Sequence, residues 1–429
     1  MNKSEIVGLL CDYGAAKHNN SQFVAASVAF RRATAMDPHS AAAWNGLGAS
    51  LMNLGDLTGA EAALVKSRAL DKTSSNSLTN YGLVLAARGE YKHSIDTYRQ
   101  ALQMKPATLA TRWDMACALL DCGRWEEGLQ LYECRMEYRG EVQYPKMPYP
   151  MWEGQSLDGK TIVIQAEQGI GDRILASRYI HWLKQQYDVR IIYSSKANMH
   201  SLMWEFVRDG IFEILPDQCP WPDADYGLFE MSLMRLYGSR PSNVPDDPGL
   251  ILRRAVANAT AVNLPPPHTP GLKVGICWTG NPEQSRNFER TIPLEKLITL
   301  AQNPNLTLYS LQMGPGGADV ERLGAEELLC DLSAGMVHGL HATASMMLNL
   351  DVVVTACTSI AHLAGSLGVP TKVMLCHNPY WVWLRGRSDS PWYPSVKLYR
   401  QPSPGDWDSV ISEVRRDLDA ESHQVIKAA

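Results

Sequence analysis

Residues 5 to about 140 repeat with a period of 34 residues, which restricts this part of the chain to a stack of one small unit. The period shows in three columns: Tyr13-Gly14, Leu47-Gly48, Tyr81-Gly82 and Met115-Ala116; Ala26, Ala60, Ser94 and Gly128; and Phe30, Leu64, Tyr98 and Tyr132. A fourth column holds Gly55, Gly89 and Gly123, with Ser21 in the first copy. The pattern predicts four pairs of helices with a turn at the glycine column and small residues where helices touch. The pairs must stack, because no pair can bury its own apolar face.

This pattern resembles the tetratricopeptide repeat (TPR). The resemblance implies a concave surface that binds a peptide or a partner protein. The alternative is a packing or dimerisation module without a ligand, and a homo-oligomer stays possible. The helices carry no basic residues in a carboxylate-clamp pattern, so the sequence singles out no groove residues.

A strand, a glycine turn and a helix follow one another in residues 161–183. Thr161 to Ala166 is apolar and β-branched, as in a buried strand. Gly169 and Gly171 form the turn, and Asp172 lies where the helix begins. This order places backbone N–H groups and one carboxylate at the carboxyl edge of a sheet, where open α/β folds bind ligands.

A second alternation of strands and helices follows the Pro-rich residues 265–267. The strand at 272–278 ends in the turn Thr279-Gly280-Asn281, and Thr358-Ser359 is typical of a helix N-cap after another strand. Alternating strands and helices favour a parallel sheet in each unit. The predicted domains are a repeat domain (1–140), an acceptor-side α/β domain (141–268) and a nucleotide-sugar-binding α/β domain (269–429).

Composition excludes several classes of protein. A net charge of −5 argues against a dedicated nucleic-acid binder. No segment approaches 18 uninterrupted apolar residues, so no membrane span is predicted. The nine cysteines form no CxxC pair, which supports neither a zinc site nor a disulfide scaffold. No signal peptide is recognisable, and we expect a cytoplasmic protein without a bound metal.

Four segments together resemble the TPR-linked branch of the heptosyltransferase-like glycosyltransferases (family 9, GT-B fold). They are Gln168-Gly-Ile-Gly-Asp-Arg-Ile-Leu-Ala-Ser-Arg-Tyr179; Gly275-Ile-Cys-Trp-Thr-Gly-Asn281 with Arg290-Thr-Ile-Pro-Leu294; Thr358-Ser-Ile-Ala-His-Leu-Ala-Gly365; and Ser390-Pro-Trp-Tyr-Pro394 with the tail after it. The implied fold class is α plus α/β: TPR helical repeats followed by a GT-B fold of two Rossmann-like domains.

The resemblance implies metal-independent, inverting transfer of a sugar from a nucleotide diphosphate-sugar to a protein or glycan acceptor. Asp172 stands at the position of the family's catalytic base. The expected donor-binding residues are Gly280, Asn281, Arg290, Gln312, Thr358, Ser359 and His362. The expected acceptor-side residues are Glu167, Gln168, Gly169 and Gly171. No cofactor is expected beyond the nucleotide-sugar substrate, and a protein partner could occupy the TPR surface.

The chemistry of these residues agrees with that function. A positioned carboxylate can remove the proton of a sugar hydroxyl, which is otherwise a poor nucleophile. A helix N-terminus with the hydroxyls of Thr358 and Ser359, together with Arg290 or Arg286, can stabilise a departing diphosphate.

Two positions depart from the family pattern: Cys357 replaces an Asp before the diphosphate-binding helix, and Ala176 replaces an aromatic residue. Cys357 favours an alternative function, a non-catalytic interaction scaffold with a degenerate transferase domain. Each singled-out residue also has a structural alternative; Asp172 could be only a helix cap, and His362 only a buried core residue. A dinucleotide-dependent oxidoreductase ranks last, because no complete G-x-G-x-x-G follows a strand.

Overall fold

A computed structural model describes residues 2–104, 108–138, 145–167, 169–246, 249, 252–253, 264–284, 286–337 and 339–428. The chain divides into two compact units, Met1–Gln143 and Tyr144–Ala429. In the described residues, no helix has the length and apolar character needed to cross a membrane.

The first unit is built from helices in pairs. They are α1 (Lys3–Asn19), α2 (Phe23–Met36), α3 (Ala41–Asn53), α4 (Leu57–Leu70), α5 (Ser75–Ala87), α6 (Tyr91–Gln103), α7 (Leu109–Asp121), α8 (Trp125–Tyr132) and the short α9 (Arg135–Tyr138). The caps repeat with the sequence: Ser40, Ser74 and Thr108, each 34 residues apart, accept a backbone N–H at the starts of α3, α5 and α7. The predicted four helix pairs are therefore present.

Small and large residues meet inside each helix pair, as the columns predict. A Cβ atom on Gly14 would lie 2.9 Å from the ring of Phe30, and one on Gly82 would lie 2.6 Å from Tyr98. These distances are too short for any larger side chain. The large side chains therefore fill the space that the small ones leave, and Phe30 and Tyr98 are buried.

The turn between the two helices of each repeat needs a left-handed backbone. Gly55, Gly89 and Gly123 have φ values of 82°, 79° and 81°, and Ser21 adopts φ 58° at the same position of the first repeat. Glycine takes this conformation without the steric penalty that an L side chain carries.

We predict that Ser21→Gly raises the free energy of unfolding by roughly 0.5–1 kcal/mol. Glycine relieves the strain of the left-handed backbone, and this gain exceeds the additional conformational entropy that glycine loses on folding. Urea denaturation of the full chain measures the change. Ser21→Ala is the matched control and should give no gain, because alanine keeps the strain. Equal stabilities of the Gly and Ala variants would contradict the prediction.

The second unit begins with a four-stranded parallel sheet, lobe 1. Its strands are β1 (Thr161–Gln165), β2 (Arg190–Ser195), β3 (Glu213–Pro216) and β4 (Tyr226–Phe229), in the order β3-β2-β1-β4. Its helices are α10 (Ile170–Gln186), α11 (His200–Arg208) and α12 (Leu233–Tyr237). The residues of β1 from Ile162 to Gln165 are all buried, which is why this strand reads as a continuous apolar run.

Lobe 2 is a six-stranded parallel sheet. Its strands are β5 (Leu272–Cys277), β6 (Leu306–Ser310), β7 (Leu329–Asp331), β8 (Val352–Ala356), β9 (Thr371–Leu375) and β10 (Val396–Arg400). Its helices are α13 (Asn287–Arg290), α14 (Leu294–Leu297), α15 (Ala318–Leu323), α16 (Ser333–Met336), α17 (Leu340–Met347), α18 (Ser359–Ser366) and α19 (Trp407–Ala428). The order β10-β9-β8-β5-β6-β7 is that of the doubly wound Rossmann sheet.

These observations confirm the predicted fold class, helical repeats followed by two Rossmann-like lobes in a GT-B arrangement. Three details differ from the sequence interpretation. Strands β7 and β10 were not predicted, because β7 has only three residues and the charged Lys397 and Arg400 of β10 follow no alternating pattern. The amphipathic pattern of residues 407–418 predicts the last helix, which in the structure extends to Ala428.

Candidate functional site

The turn between β1 and α10 is held by hydrogen bonds at both ends. Gly169 precedes α10, and its N–H donates to Oδ2 of Asp172 at 3.1 Å. The Glu167 N–H donates to Oε1 of Glu230 at 3.2 Å, while Oε1 of Glu167 accepts from the Met231 N–H at 2.9 Å. The turn is therefore fixed to the carboxyl end of β4. Glu167 has a bracing role, whereas Gln168 lies outside the described residues.

Glu230, which the sequence interpretation missed, is fully buried beneath this turn. Its second oxygen accepts a hydrogen bond from the Tyr193 hydroxyl at 2.6 Å. Burial raises the pKa of Glu230 to about 7, although the hydrogen bond from Tyr193 lowers it. No sequence motif marks Glu230, because its partners lie 37 and 63 residues away.

The raised pKa predicts a pH-dependent stability. The pKa of the Glu230 carboxyl is 4.5 when unperturbed and about 7 in the folded chain. Between pH 4.5 and 7 the carboxyl is therefore protonated in the folded chain and ionised in the unfolded chain. This difference in proton binding adds roughly 3 kcal/mol to the free energy of unfolding. The contribution is fully present below pH 4.5 and is lost as the pH rises through 7.

We expect Glu230→Gln to abolish this loss of stability with rising pH. Urea denaturation at a series of pH values between 4.5 and 7.5 measures it. Glu213→Gln is the control, because Arg190 lowers the pKa of Glu213 and keeps its titration outside that window. A Glu230→Gln variant with the same pH slope as the wild type would contradict the assignment.

In lobe 2, helix α18 begins directly after β8. Thr358 is its N-cap, and the Thr358 hydroxyl accepts from the Ile360 N–H at 3.3 Å. This confirms the predicted cap, and it leaves Thr358 only 8% exposed. Ser359, the first residue of the helix, keeps part of its surface accessible.

Helices α10 and α18 meet where both begin. A Cβ atom on Gly171 would lie 2.6 Å from Cδ2 of His362, so only glycine allows this approach. Asp172 is close enough to Cys357 for its charge to raise the pKa of the thiol, after the larger effect of burial. Nη1 of Arg290 donates to the Cys357 carbonyl at 3.1 Å. A carboxylate of lobe 1 and a guanidinium of lobe 2 therefore lie beside the start of α18.

Cys357 itself is a buried, neutral thiol. It is 7% exposed, and its sulfur accepts a hydrogen bond from Nε1 of Trp383 at 2.9 Å. Because burial raises its pKa, the thiol does not supply the negative charge of the Asp that the resemblance leads one to expect at this position. The side chain fills space beneath Trp383.

His362 packs in the interior of the second unit. It is 5% exposed, its Nδ1 shares a hydrogen bond with the Tyr393 hydroxyl at 3.0 Å, and its ring lies 5.0 Å from that of Trp383. Burial lowers its pKa to about 3, so the imidazole is neutral at physiological pH. A packing role is therefore established, and the donor contact stays a prediction.

The loop after β5 is held by Gln312. Oε1 of Gln312 accepts the N–H groups of Trp278 and Thr279 at 3.1 and 3.0 Å, and its Nε2 donates to the Thr279 carbonyl. At Gly280, a Cβ atom would lie 2.3 Å from Nη2 of Arg290, so the glycine leaves room for the guanidinium. Asn281 is exposed in the same loop.

A cavity of about 360 Å³ opens at the carboxyl ends of β6 and β7. Its lining includes Gln312, Ser310, Glu326, Asp331 and Ser333. Sequence reasoning singled out only Gln312 here. The run of glycines after β6 was the available signal, because glycines at a strand's carboxyl end allow close approach of a ligand.

No group of three or more His, Cys, Asp or Glu residues in the described ranges could hold a metal ion. The structure thus brings Gly171, Asp172, Arg290, Ser359 and His362 to one place. Gly280 lies on the loop after β5, which is held by Gln312 from the loop after β6.

Comparisons with known proteins identify the repeats of the first unit. Two tetratricopeptide-repeat families match residues 19–77 and 75–108. Protein FlbA of Caulobacter vibrioides is 26% identical over 424 residues, which covers 90% of this chain and 68% of that protein. An O-GlcNAc transferase mutant of Thermobaculum terrenum covers 100% of this chain and 94% of its own, with 14% identity and a TM-score of 0.35. The structure of MamA covers 32% of this chain and 79% of its own, with 21% identity and a TM-score of 0.28. The chain thus carries tetratricopeptide repeats in its N-terminal region, followed by a parallel-sheet α/β portion.

Proposed function

We propose that the second unit is a metal-independent, inverting glycosyltransferase. It transfers a sugar from a nucleotide diphosphate-sugar to a protein or glycan acceptor, which the repeats of the first unit help to present. The observation that carries this proposal is the position of Asp172. It follows Gly171, which meets His362 of α18, and its charge acts on Cys357, whose carbonyl accepts a hydrogen bond from Arg290.

Asp172 is the proposed general base. The acceptor hydroxyl gives its proton to this carboxylate while its oxygen bonds to the anomeric carbon of the donor. The bond from that carbon to the diphosphate oxygen breaks in the same step, so the configuration inverts. The hydrogen bond from Gly169 fixes one oxygen of Asp172 and holds the carboxyl in place.

The start of α18 is the proposed diphosphate site. The helix dipole at this terminus favours the negative charge that develops on the leaving group. Arg290 and the hydroxyl of Ser359 lie there, and Arg290 adds a positive charge. Because these donors are held before the reaction, they stabilise the charge without reorganisation.

The cavity at β6 and β7 is the proposed nucleoside site. Its volume falls within the usual range for small-molecule sites, about 300–1,000 Å³. The carboxylates of Glu326 and Asp331 could accept hydrogen bonds from ribose hydroxyls. This location is at the carboxyl edge of the same sheet that leads into α18.

A nucleotide screen tests the site. We expect one of UDP, GDP, ADP, CDP or dTDP to stabilise the full chain by about 2.7 kcal/mol at 100 times its dissociation constant, measured as a rise in melting temperature. Glu326→Ala should weaken that binding about tenfold, the loss of one or two hydrogen bonds to a charged group. Glu327→Ala, next to it but outside the cavity lining, is the control. The absence of stabilisation by any of these nucleotides would contradict the proposed site.

One observation favours the second candidate, a non-catalytic scaffold. Cys357 replaces the acid of the family motif, and it is neutral and covered by Trp383. Under this alternative the nucleotide could still bind, but no sugar would be released from the donor. A donor-cleavage assay therefore separates the two functions.

A further inference from the structure

Arg173 follows Asp172 in the first turn of α10 and is only 6% exposed. A guanidinium carries five N–H donors and a permanent charge. Burying it without hydrogen-bond acceptors is costly, so buried arginines normally have partners. The other two arginines as buried as Arg173 in the described residues follow this rule: Arg178 donates to the Pro245 carbonyl, and Arg135 pairs with Glu133.

Arg173 is different from those two. No hydrogen bond joins its side chain to any residue that the structure describes, whereas the side chains of Arg178 and Arg135 each donate one; the Nε of Arg173, like that of Arg178, is buried without an acceptor. Arg173 acts electrostatically on Glu230, whose pKa it lowers slightly against the larger effect of burial. Both Glu230 oxygens are already used, by the Glu167 N–H and by the Tyr193 hydroxyl. Glu230 therefore balances the charge of Arg173 without satisfying its donors.

We propose that Arg173 binds an anionic group of the sugar substrate, a carboxylate or a phosphate, at the carboxyl edge of lobe 1. This inference rests on the proposed function, since it assumes that the turn carrying Asp172 faces the sugar. An oxyanion is the acceptor that a guanidinium fork binds best, with two parallel hydrogen bonds. The N-terminal turn of α10, a helix of 17 residues, adds a favourable field for the same charge.

The charge at this place agrees with an anionic ligand. With its pKa near 7, Glu230 is protonated in part of the population at neutral pH. In that part Arg173 has no formal counter-charge from Glu230. A substrate anion would supply both the missing charge and the missing hydrogen-bond acceptors.

Calorimetric titration of the full chain with three sugars tests this inference, without any nucleotide present. Sodium glucuronate carries a carboxylate, glucose 6-phosphate carries a phosphate, and glucose carries neither. We expect at least one anionic sugar to bind the wild type about 10- to 100-fold more tightly than glucose, as for hydrogen bonds to a charged group. The comparison of the two anions identifies which group fits.

Arg173→Met should remove the preference for the anionic sugar, and Arg173→Lys should retain only part of it, because lysine keeps the charge but not the fork. Arg190→Met is the control; Arg190 is exposed at the amino end of β2, where it pairs with Glu213, and its loss should leave the preference intact. Melting temperatures show whether each variant is folded. If Arg173→Met does not fold, Arg173→Lys takes its place in the test.

An equal affinity for all three sugars in the wild type would overturn the inference. So would an Arg173→Met variant that melts earlier yet binds the anionic sugar as tightly as the wild type, since Arg173 would then be only a counter-charge for Glu230. Either result leaves nucleotide binding and sugar transfer untouched. Conversely, a chain that binds the anion through Arg173 but cleaves no nucleotide-sugar would contradict only the proposed transferase.

Discussion

Asp172→Asn is expected to lower the rate of sugar transfer by about 100- to 10,000-fold, the usual contribution of a general base. Asparagine keeps an oxygen that can accept the Gly169 N–H, so the start of α10 should stay capped. The amide cannot take a proton from the acceptor hydroxyl. Nucleotide affinity and melting temperature should therefore stay at their wild-type values while transfer is lost.

Two further variants make this experiment specific. Asp172→Ala removes both the cap and the base, so we expect the same loss of transfer with an added loss of stability of about 1 kcal/mol. Asp217→Asn, on the exposed loop after β3, controls for the removal of an acid and should keep full activity. An Asp172→Asn variant that transfers sugar at the wild-type rate would remove the proposed base.

Gly171→Ala is expected to destabilise the second unit by about 1–3 kcal/mol, the usual cost of overpacking. The new methyl group would lie 2.6 Å from Cδ2 of His362, whose ring is held by Tyr393 and Trp383 and cannot move away freely. Urea denaturation measures the loss. Gly169→Ala, two residues earlier, is the matched control, because its Cβ would make an ordinary contact of 3.5 Å with Asp172.

A double mutant identifies His362 as the cause. His362→Ala opens space opposite Gly171, so the methyl group added by Gly171→Ala should cost less in that background than in the wild type, a coupling of about 0.5–3 kcal/mol. Equal stabilities of Gly171→Ala and Gly169→Ala would show that the two helices do not meet this closely. The same Gly171→Ala variant should also disturb transfer, because Gly171 is next to Asp172.

The elements with strong local signals could be predicted from the sequence. The repeat columns predicted the helix pairs and the turn between them, at the position where Ser21 aligns with three glycines. The strand before Gly169 and the cap at Thr358 were likewise predicted, because apolar runs, glycine turns and hydroxyl caps act over a few neighbouring residues.

The parts that depend on distant contacts could not be predicted. Glu230 and Arg173 belong to no motif, and their environment forms only when β1, β2 and β4 come together. The approach of Gly171 to His362 joins residues from the two lobes, so no local pattern encodes it. Strand β7 was missed because it has only three residues, and with it part of the cavity lining.

Proton NMR of a transfer reaction tests the central claim, metal-independent and inverting transfer, most directly. The donor is the nucleotide-sugar whose nucleotide stabilises the chain, and EDTA is present. A single displacement, with Asp172 on one side of the anomeric carbon and the diphosphate on the other, predicts a product of inverted anomeric configuration formed at a rate that EDTA does not change. Retention of configuration would contradict that mechanism, and an intact donor after prolonged incubation would leave a binding scaffold in its place.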